Sequence, residues 1–243
     1  SGEGRYLFSQ NRALEEAHLA PMKPVEITTR DGLTMVCYLT LPEGVEPKGL
    51  PLVLNVHGGP WARDYWGLDP EAQWLANRGY ACLQVNYRGS TGFGKAFVNA
   101  ANREWGGKMH DDLIDAVQWA IDEGIADAAR VGIFGWSYGG YATMVGMTFT
   151  PDVFAVGVAG VGISNLVSWY RSIPPYWEPF RAQLDLRVGS ADTDEEFLKS
   201  RSPLFHIQNI KSPLMIAQGA NDPRVPRAEA DQIVEAMRAR GIE

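Results

Sequence analysis

The sequence holds little that would staple, anchor or ligate. It has two cysteines, Cys37 and Cys82, in 243 residues, which excludes a disulfide framework. Both lie in strand-like apolar runs, where a thiol serves as a small core hydrophobe. That usage favours a reducing compartment, so a cytoplasmic location is expected. No apolar run approaches the roughly 20 residues needed to span a bilayer. The opening stretch, SGEGRYLFSQNR, has neither the basic start nor the apolar centre of a secretory signal. Basic residues do not cluster and the formal net charge is −7, so neither nucleic acid nor a membrane is an expected partner. Internal repeats and low-complexity tracts are missing. Histidine is scarce as well: His18, His57, His110 and His206 are the only four.

What is present reads as alternating strands and helices. Residues 1–20 carry weak signals, with a short helical turn between Ala13 and Leu19, and are expected to be a linker or the tail of a preceding domain. Val25–Thr29 and Thr34–Leu41 flank Arg30-Asp31-Gly32 and predict an antiparallel hairpin. Pro51–Val56 and Tyr80–Val85 read as strands buried on both faces. Between them, Glu71–Asn77 reads as a helix stopped by Gly79. Residues 110–124 form an amphipathic helix through Leu113, Ala116, Val117, Ala120 and Ile121. Phe154–Val158 and Pro213–Gln218 are further strands, and Arg227–Arg240 is a last helix. Residues 163–199 read as irregular and aromatic. The pattern predicts an α/β protein whose mostly parallel sheet carries helices on both faces.

The chain is organised around VGIFGWSYGGYATMVG, residues 131–146. An apolar strand runs into Gly135-Trp136-Ser137-Tyr138-Gly139, and a helix follows. Such a turn holds a serine at its apex in a strained conformation, with glycines where a Cβ would strike the neighbouring backbone. The helix start aims free N–H groups at negative charge developing beside Ser137 Oγ. Composition alone yields a chance GxSxG about one time in ten, so the strand and helix around it carry the argument. Asp222, in QGANDPRVP at 218–226, follows a strand and precedes a helix, as suits the acid of a triad ordered Ser, Asp, His; alone it would be a turn residue or helix cap. Arg224 is a candidate carbonyl anchor or a surface charge. His57-Gly58-Gly59-Pro60 ends a buried strand and could turn the Gly59 N–H towards Ser137, completing an oxyanion hole with the Tyr138 N–H.

The runs HGGP, NYRGSTGFG at 86–94, GWSYGG at 135–140 and GANDPRVP at 219–226 together resemble the catalytic domain of the prolyl oligopeptidase family of serine peptidases, nearest to its acylaminoacyl-peptidase and dipeptidyl-peptidase branch. The likeness runs from about Pro21 to the last residue. It implies an α/β-hydrolase domain over 21–243, incomplete at its C-terminus, with Ser137 as nucleophile and Asp222 as triad acid. Gly59 and Tyr138 would be oxyanion donors and Arg224 a peptide-carbonyl anchor. It implies no cofactor and no metal, a peptide or acyl-peptide substrate, and a β-propeller preceding the hydrolase. A homo-oligomer is left open.

The family places its histidine one helix and one strand beyond the aspartate, and none of the four histidines stands there. The expectation is that these residues are a fragment, inactive or nearly so alone, because loss of a triad member lowers turnover by ~10⁴–10⁶. A carboxylesterase and a non-catalytic pseudohydrolase or interaction domain are the competing readings. His110-Asp111-Asp112 and Asp192–Glu196 read as helix starts, not metal loops. The aromatics Trp61, Tyr65, Trp66, Trp169, Tyr170, Tyr176, Trp177 and Phe180 admit two readings as a group, core or cap packing and the lining of an apolar substrate pocket, and the sequence does not choose between them.

Overall fold

The computed structural model describes residues 4–8 and 11–242. Seven strands form one sheet: β1 (Met22–Thr28), β2 (Thr34–Thr40), β3 (Leu50–Val56), β4 (Ala81–Val85), β5 (Ala126–Trp136), β6 (Val156–Gly160) and β7 (Leu214–Ala217), in the order β1-β2-β4-β3-β5-β6-β7. β1 pairs antiparallel with β2, and β2 with β4, while the four remaining ladders are parallel. The hairpin and the mostly parallel sheet therefore stand as expected. β1 starts earlier than its apolar residues suggest and tolerates Pro24 because it is an edge strand, where a missing N–H costs no ladder bond.

The helices are α1 (Pro70–Ala76), α2 (Lys95–Asn99), α3 (Lys108–Asp122), α4 (Tyr138–Phe149), α5 (Leu166–Arg171), α6 (Arg181–Arg187), α7 (Glu195–Ser200) and α8 (Arg227–Arg238). None is long and apolar enough to cross a membrane. α4 is buried from Tyr138 through Thr148, so it is the central helix and shows no polar face. Arg88, after β4, donates to both Asp112 on α3 and Asp31 in the hairpin turn, tying three elements together at one buried guanidinium. Cys37 and Cys82 are buried and unpaired, as core residues.

The structure corrects several sequence expectations. Residues 163–199 are not irregular: they hold α5, α6, α7 and a 3₁₀ turn at Pro175–Phe180. Each helix is only six or seven residues long, too short to show a helical period. β6 begins two residues later than read because Phe154 leaves the sheet and packs on α4, where a Cβ at Gly146 would lie 2.8 Å from its ring. Asp194 precedes α7 but does not cap it with its side chain; that carboxylate turns back to accept from the Ser190 N–H and to pair with Arg103. The helical turn placed between Ala13 and Leu19 is a single 3₁₀ turn at Arg12–Leu14.

Candidate active site

Parallel strands deliver their following segments to one edge of the sheet, and every candidate residue sits in such a loop or, for Tyr138, at the start of the helix that follows. Ser137 is the residue between β5 and α4. Its φ of 59° and ψ of −116° lie in a region almost reserved for glycine, and its N–H donates to Gly160 O on β6 at 2.9 Å. The glycines around it leave no room for a side chain. A Cβ at Gly139 would lie 2.0 Å from Val56 O, one at Gly135 2.6 Å from the same oxygen, and one at Gly140 2.4 Å from Gly160 O. α4 thus starts hard against the ends of β3 and β6, which forces the chain to reverse at the serine. Val161, just after β6, also has positive φ, at 43°. That is a strained state for a β-branched residue.

The loop after β3 reaches the same place. A Cβ at Gly58 would lie 3.0 Å from Trp136 O and 3.5 Å from Ser137 Cβ, so this loop rests on the serine turn. Gly59 has φ 125°. As the first residue of α4, Tyr138 has no carbonyl four residues back to take its N–H. Neither the Gly59 nor the Tyr138 amide donates to a protein acceptor among the described residues. The Tyr138 side chain points into the core, its hydroxyl 3.7 Å from Met109 Sδ, and burial pushes the phenol well above its ordinary range. It is therefore the main chain of Tyr138, not its hydroxyl, that faces the serine.

Asp222 lies beyond β7. Its Oδ1 accepts from the Arg224 and Val225 amides at 2.8 and 2.9 Å, which leaves Oδ2 open. The Arg224 carbonyl takes the Trp169 indole N–H at 3.2 Å, and the Arg224 guanidinium is in no ion pair among the described residues. Gly59, Ser137, Tyr138, Asp222 and Arg224 line one cavity of about 350 Å³. Its walls are Trp61, Trp105, Val161, Ile163, Trp169, Trp177, Leu184 and Val225. Of the aromatics singled out by sequence, Trp61, Trp169 and Trp177 face the cavity, whereas Tyr65, Trp66, Tyr176 and Phe180 lie exposed. Tyr170 is buried with its hydroxyl on Asp185. Trp105 escaped sequence reading; its one local sign is an aromatic next to Gly106-Gly107 just before α3. A larger concavity of about 500 Å³ around His18, Gln73 and Trp74 contains none of the candidate residues.

Two carboxyls on neighbouring elements are shifted by burial. Glu229 on α8 accepts from the Ser164 and Asn165 amides and the Ser168 hydroxyl, locking the loop after β6 to the helix after Asp222. Burial raises its carboxyl above the ordinary value. Asp64, in the loop after β3, is pushed up to about 7, mainly by burial and then by repulsion from Asp69.

No histidine lines the cavity. His57 is half-buried with its ring stacked on Tyr87, His110 is buried against Thr150, and His206 lies on Phe149 with Nε2 on Ser200 O. Burial pushes both His57 and His110 down to about 4. The arrangement can thus offer a hydroxyl, two free amides, an open carboxylate oxygen and a cation to one bound group, with space left between hydroxyl and carboxylate.

Comparison with known proteins follows the same lines. The sequence profile described as the prolyl oligopeptidase family matches residues 66–243. Dipeptidyl aminopeptidase BIII of Pseudoxanthomonas mexicana is 57% identical over 245 residues, covering 97% of this chain and 36% of that protein. Dipeptidyl peptidase family member 6 of Caenorhabditis elegans is 48% identical over 241 residues, covering 89% and 33%. Among solved structures, a puromycin-hydrolyzing peptidase of Mycobacterium tuberculosis superposes with a TM-score of 0.85 at 33% identity, covering 92% of this chain and 34% of that one. The chain spans about a third of the length of the curated relatives it matches.

Proposed function

The chain belongs to the prolyl oligopeptidase family, and from that premise we propose that it forms the acyl-transfer centre of a serine peptidase acting on short peptides. Release of N-terminal dipeptides is favoured over release of acylated residues, by likeness to the dipeptidyl aminopeptidase. The observation that carries the reading is the shared cavity: Ser137, Gly59, Tyr138, Asp222 and Arg224 arrive there from three separate strand-following connections and a helix start.

In this mechanism Ser137 Oγ attacks the scissile carbonyl carbon while an imidazole takes its proton. The carbonyl oxygen becomes an oxyanion and lies against the Gly59 and Tyr138 amides, which have no ground-state acceptor to give up. Asp222 Oδ2 accepts from the imidazole N–H, its other oxygen being held by two backbone amides. The Arg224 guanidinium holds a substrate carbonyl, and the indole walls receive an apolar side chain. The imidazole then protonates the leaving amine. Water, deprotonated by the same ring, hydrolyses the acyl-enzyme.

The four histidines of these residues stand elsewhere, so the proposal takes the imidazole from outside them. The 243 residues alone are then inactive or nearly so, by the ~10⁴–10⁶ that a triad member contributes. The test is turnover by the enzyme at its natural length. Dipeptidyl p-nitroanilides with a free amino terminus should be cleaved, N-acetylated anilides more slowly, and Ser137→Ala should abolish both. Cleavage of simple p-nitrophenyl esters alone would favour the esterase, and no turnover of any of the three would favour a binding role.

A further inference from the structure

α5 is six residues long, too short to stand on its own backbone bonds, and it is held at both ends. At its start, Glu229 of α8 accepts from the Ser164 and Asn165 amides and the Ser168 hydroxyl. Gln232 Nε2 adds bonds to Ser164 Oγ at 2.8 Å and Ser168 Oγ at 3.2 Å. Asn165 caps the helix by accepting from the Val167 N–H. One turn on stands Trp169, 4% exposed, its ring stacked on Trp105 with centroids 5.6 Å apart and planes 27° from parallel. Trp105 in turn meets Tyr138 edge to face at 4.7 Å. The Trp169 ring is therefore fixed in place, and its one polar group, the indole N–H, donates to Arg224 O at 3.2 Å.

Arg224 is exposed, and its guanidinium is in no ion pair among the described residues. A long side chain without partners is aimed by its root, so the stance of the Arg224 backbone decides how it enters the cavity. Two side chains hold that backbone. Asp222 Oδ1 accepts from the Arg224 N–H at 2.8 Å, a bond within the loop. The Trp169 bond crosses from the loop to the cavity wall. We propose that Trp169 is the positioning residue of the Arg224 anchor: its indole N–H pins the Arg224 carbonyl and so sets the direction from which the guanidinium reaches a substrate carbonyl. The ring of Trp169 is a wall, and its N–H is a pin. Glu229, by gripping the start of α5, keeps the pin at its depth. The inference rests on the reading of Arg224 as a carbonyl anchor beside Ser137, and it gives the indole a task that packing alone does not.

The test deletes the N–H and keeps a ring. In the enzyme at its natural length, Trp169→Phe should raise KM about 3–10-fold with kcat within about twofold, the loss of one neutral hydrogen bond. Arg224→Met should raise KM about 10–100-fold, as for a bond to a charged group. With both changes together the N–H has nothing left to aim, so KM should match that of Arg224→Met alone. Losses that multiply would overturn the proposal. The substrates are dipeptidyl p-nitroanilides with glycine or leucine before the anilide. Glycine has no side chain to touch the wall, so a positioning role raises KM for both. A rise confined to leucine makes Trp169 a wall only and overturns the assignment, as does a loss confined to kcat. Should Trp169→Phe fail to melt cooperatively, β-(3-benzothienyl)alanine at position 169, which keeps the ring outline with sulfur in place of N–H, decides by the same criteria. A wild type whose Ser137 resists a fluorophosphonate, or an Arg224→Met with unchanged KM, defeats the underlying reading and this one with it. A labelled wild type with a responsive Arg224 and multiplying losses defeats only the role of Trp169.

Discussion

The serine side and the aspartate side of the cavity are held by different means. Ser137 follows an interior strand paired on both flanks, and its backbone is set by contacts from β3, β6 and α4 that allow no Cβ at Gly135, Gly139 or Gly140. Asp222 follows β7, a four-residue strand that among the described residues pairs with β6 alone and on which Met215 is 63% exposed. Its loop is shaped by local bonds instead: two amides onto Asp222 Oδ1, the Gln218 amide onto Val225 O, and the Trp169 indole onto Arg224 O. The hydroxyl's position is a property of the whole sheet, whereas the carboxylate's is a property of a few residues. Substitutions on the first side should cost fold, and on the second mainly chemistry.

The largest separation is expected at Asp222. Asp222→Ala should lower turnover by about 10⁴, equivalent to about 5.5 kcal/mol of barrier, while the melting temperature moves little, because the carboxylate's bonds are local to its loop and the Arg224 amide it releases is exposed. Parallel kinetics and thermal melts would show it, and a matching collapse of stability would break the contrast. On the serine side, Gly139→Ala drives a Cβ into a backbone oxygen that cannot withdraw. It should cost roughly 3 kcal/mol or more in denaturant unfolding. Its counterpart, Gly219→Ala, meets nothing nearer than Asp222 Cβ at 3.8 Å and should stay within about 0.5 kcal/mol.

Glu229 bridges the two sides and should fall between them. Glu229→Ala strips the acceptor from the buried Ser164 amide, the half-buried Asn165 amide and a hydroxyl and should cost about 2–3 kcal/mol by the same unfolding measurement. The smallest effect is a matter of pH. Folding raises the Asp64 carboxyl from 3.8 to about 7, so the folded state holds a proton that the unfolded state releases. That contribution is complete below the ordinary carboxylate value and is lost as pH rises through 7. The melting temperature of Asp64→Asn should therefore gain on that of wild type between pH 5 and pH 8. Parallel curves would show that the carboxyl is not raised.

What sequence alone disclosed follows the same division. β3, β4 and β5 announce themselves as apolar runs, and the glycines of GWSYGG mark a close approach without naming the atoms approached. The Asp222 loop is legible because its determinants are local. The walls of the cavity are not: Trp105 arrives before α3, Ile163 after β6 and Leu184 on α6. Nothing in their spacing shows that three separate segments converge. The short helices between α4 and β7 stayed hidden for a related reason, since six residues bury a face only when a neighbour supplies the other half. His57 belongs to a run that sequence could mark, but the contacts of its ring with Ser90 Oγ, Gly58 O and the Tyr87 hydroxyl could be found only in three dimensions.

The claim beneath all of this is that Ser137 and Asp222 serve one imidazole across one cavity. Reaction of the enzyme at its natural length with a fluorophosphonate, followed by peptide mapping, tests it in wild type and in Asp222→Ala. The account expects the phosphonyl group on Ser137 and a rate at least 10²-fold slower in the variant. A label on another residue, or an equal rate on Ser137 in both proteins, would contradict it.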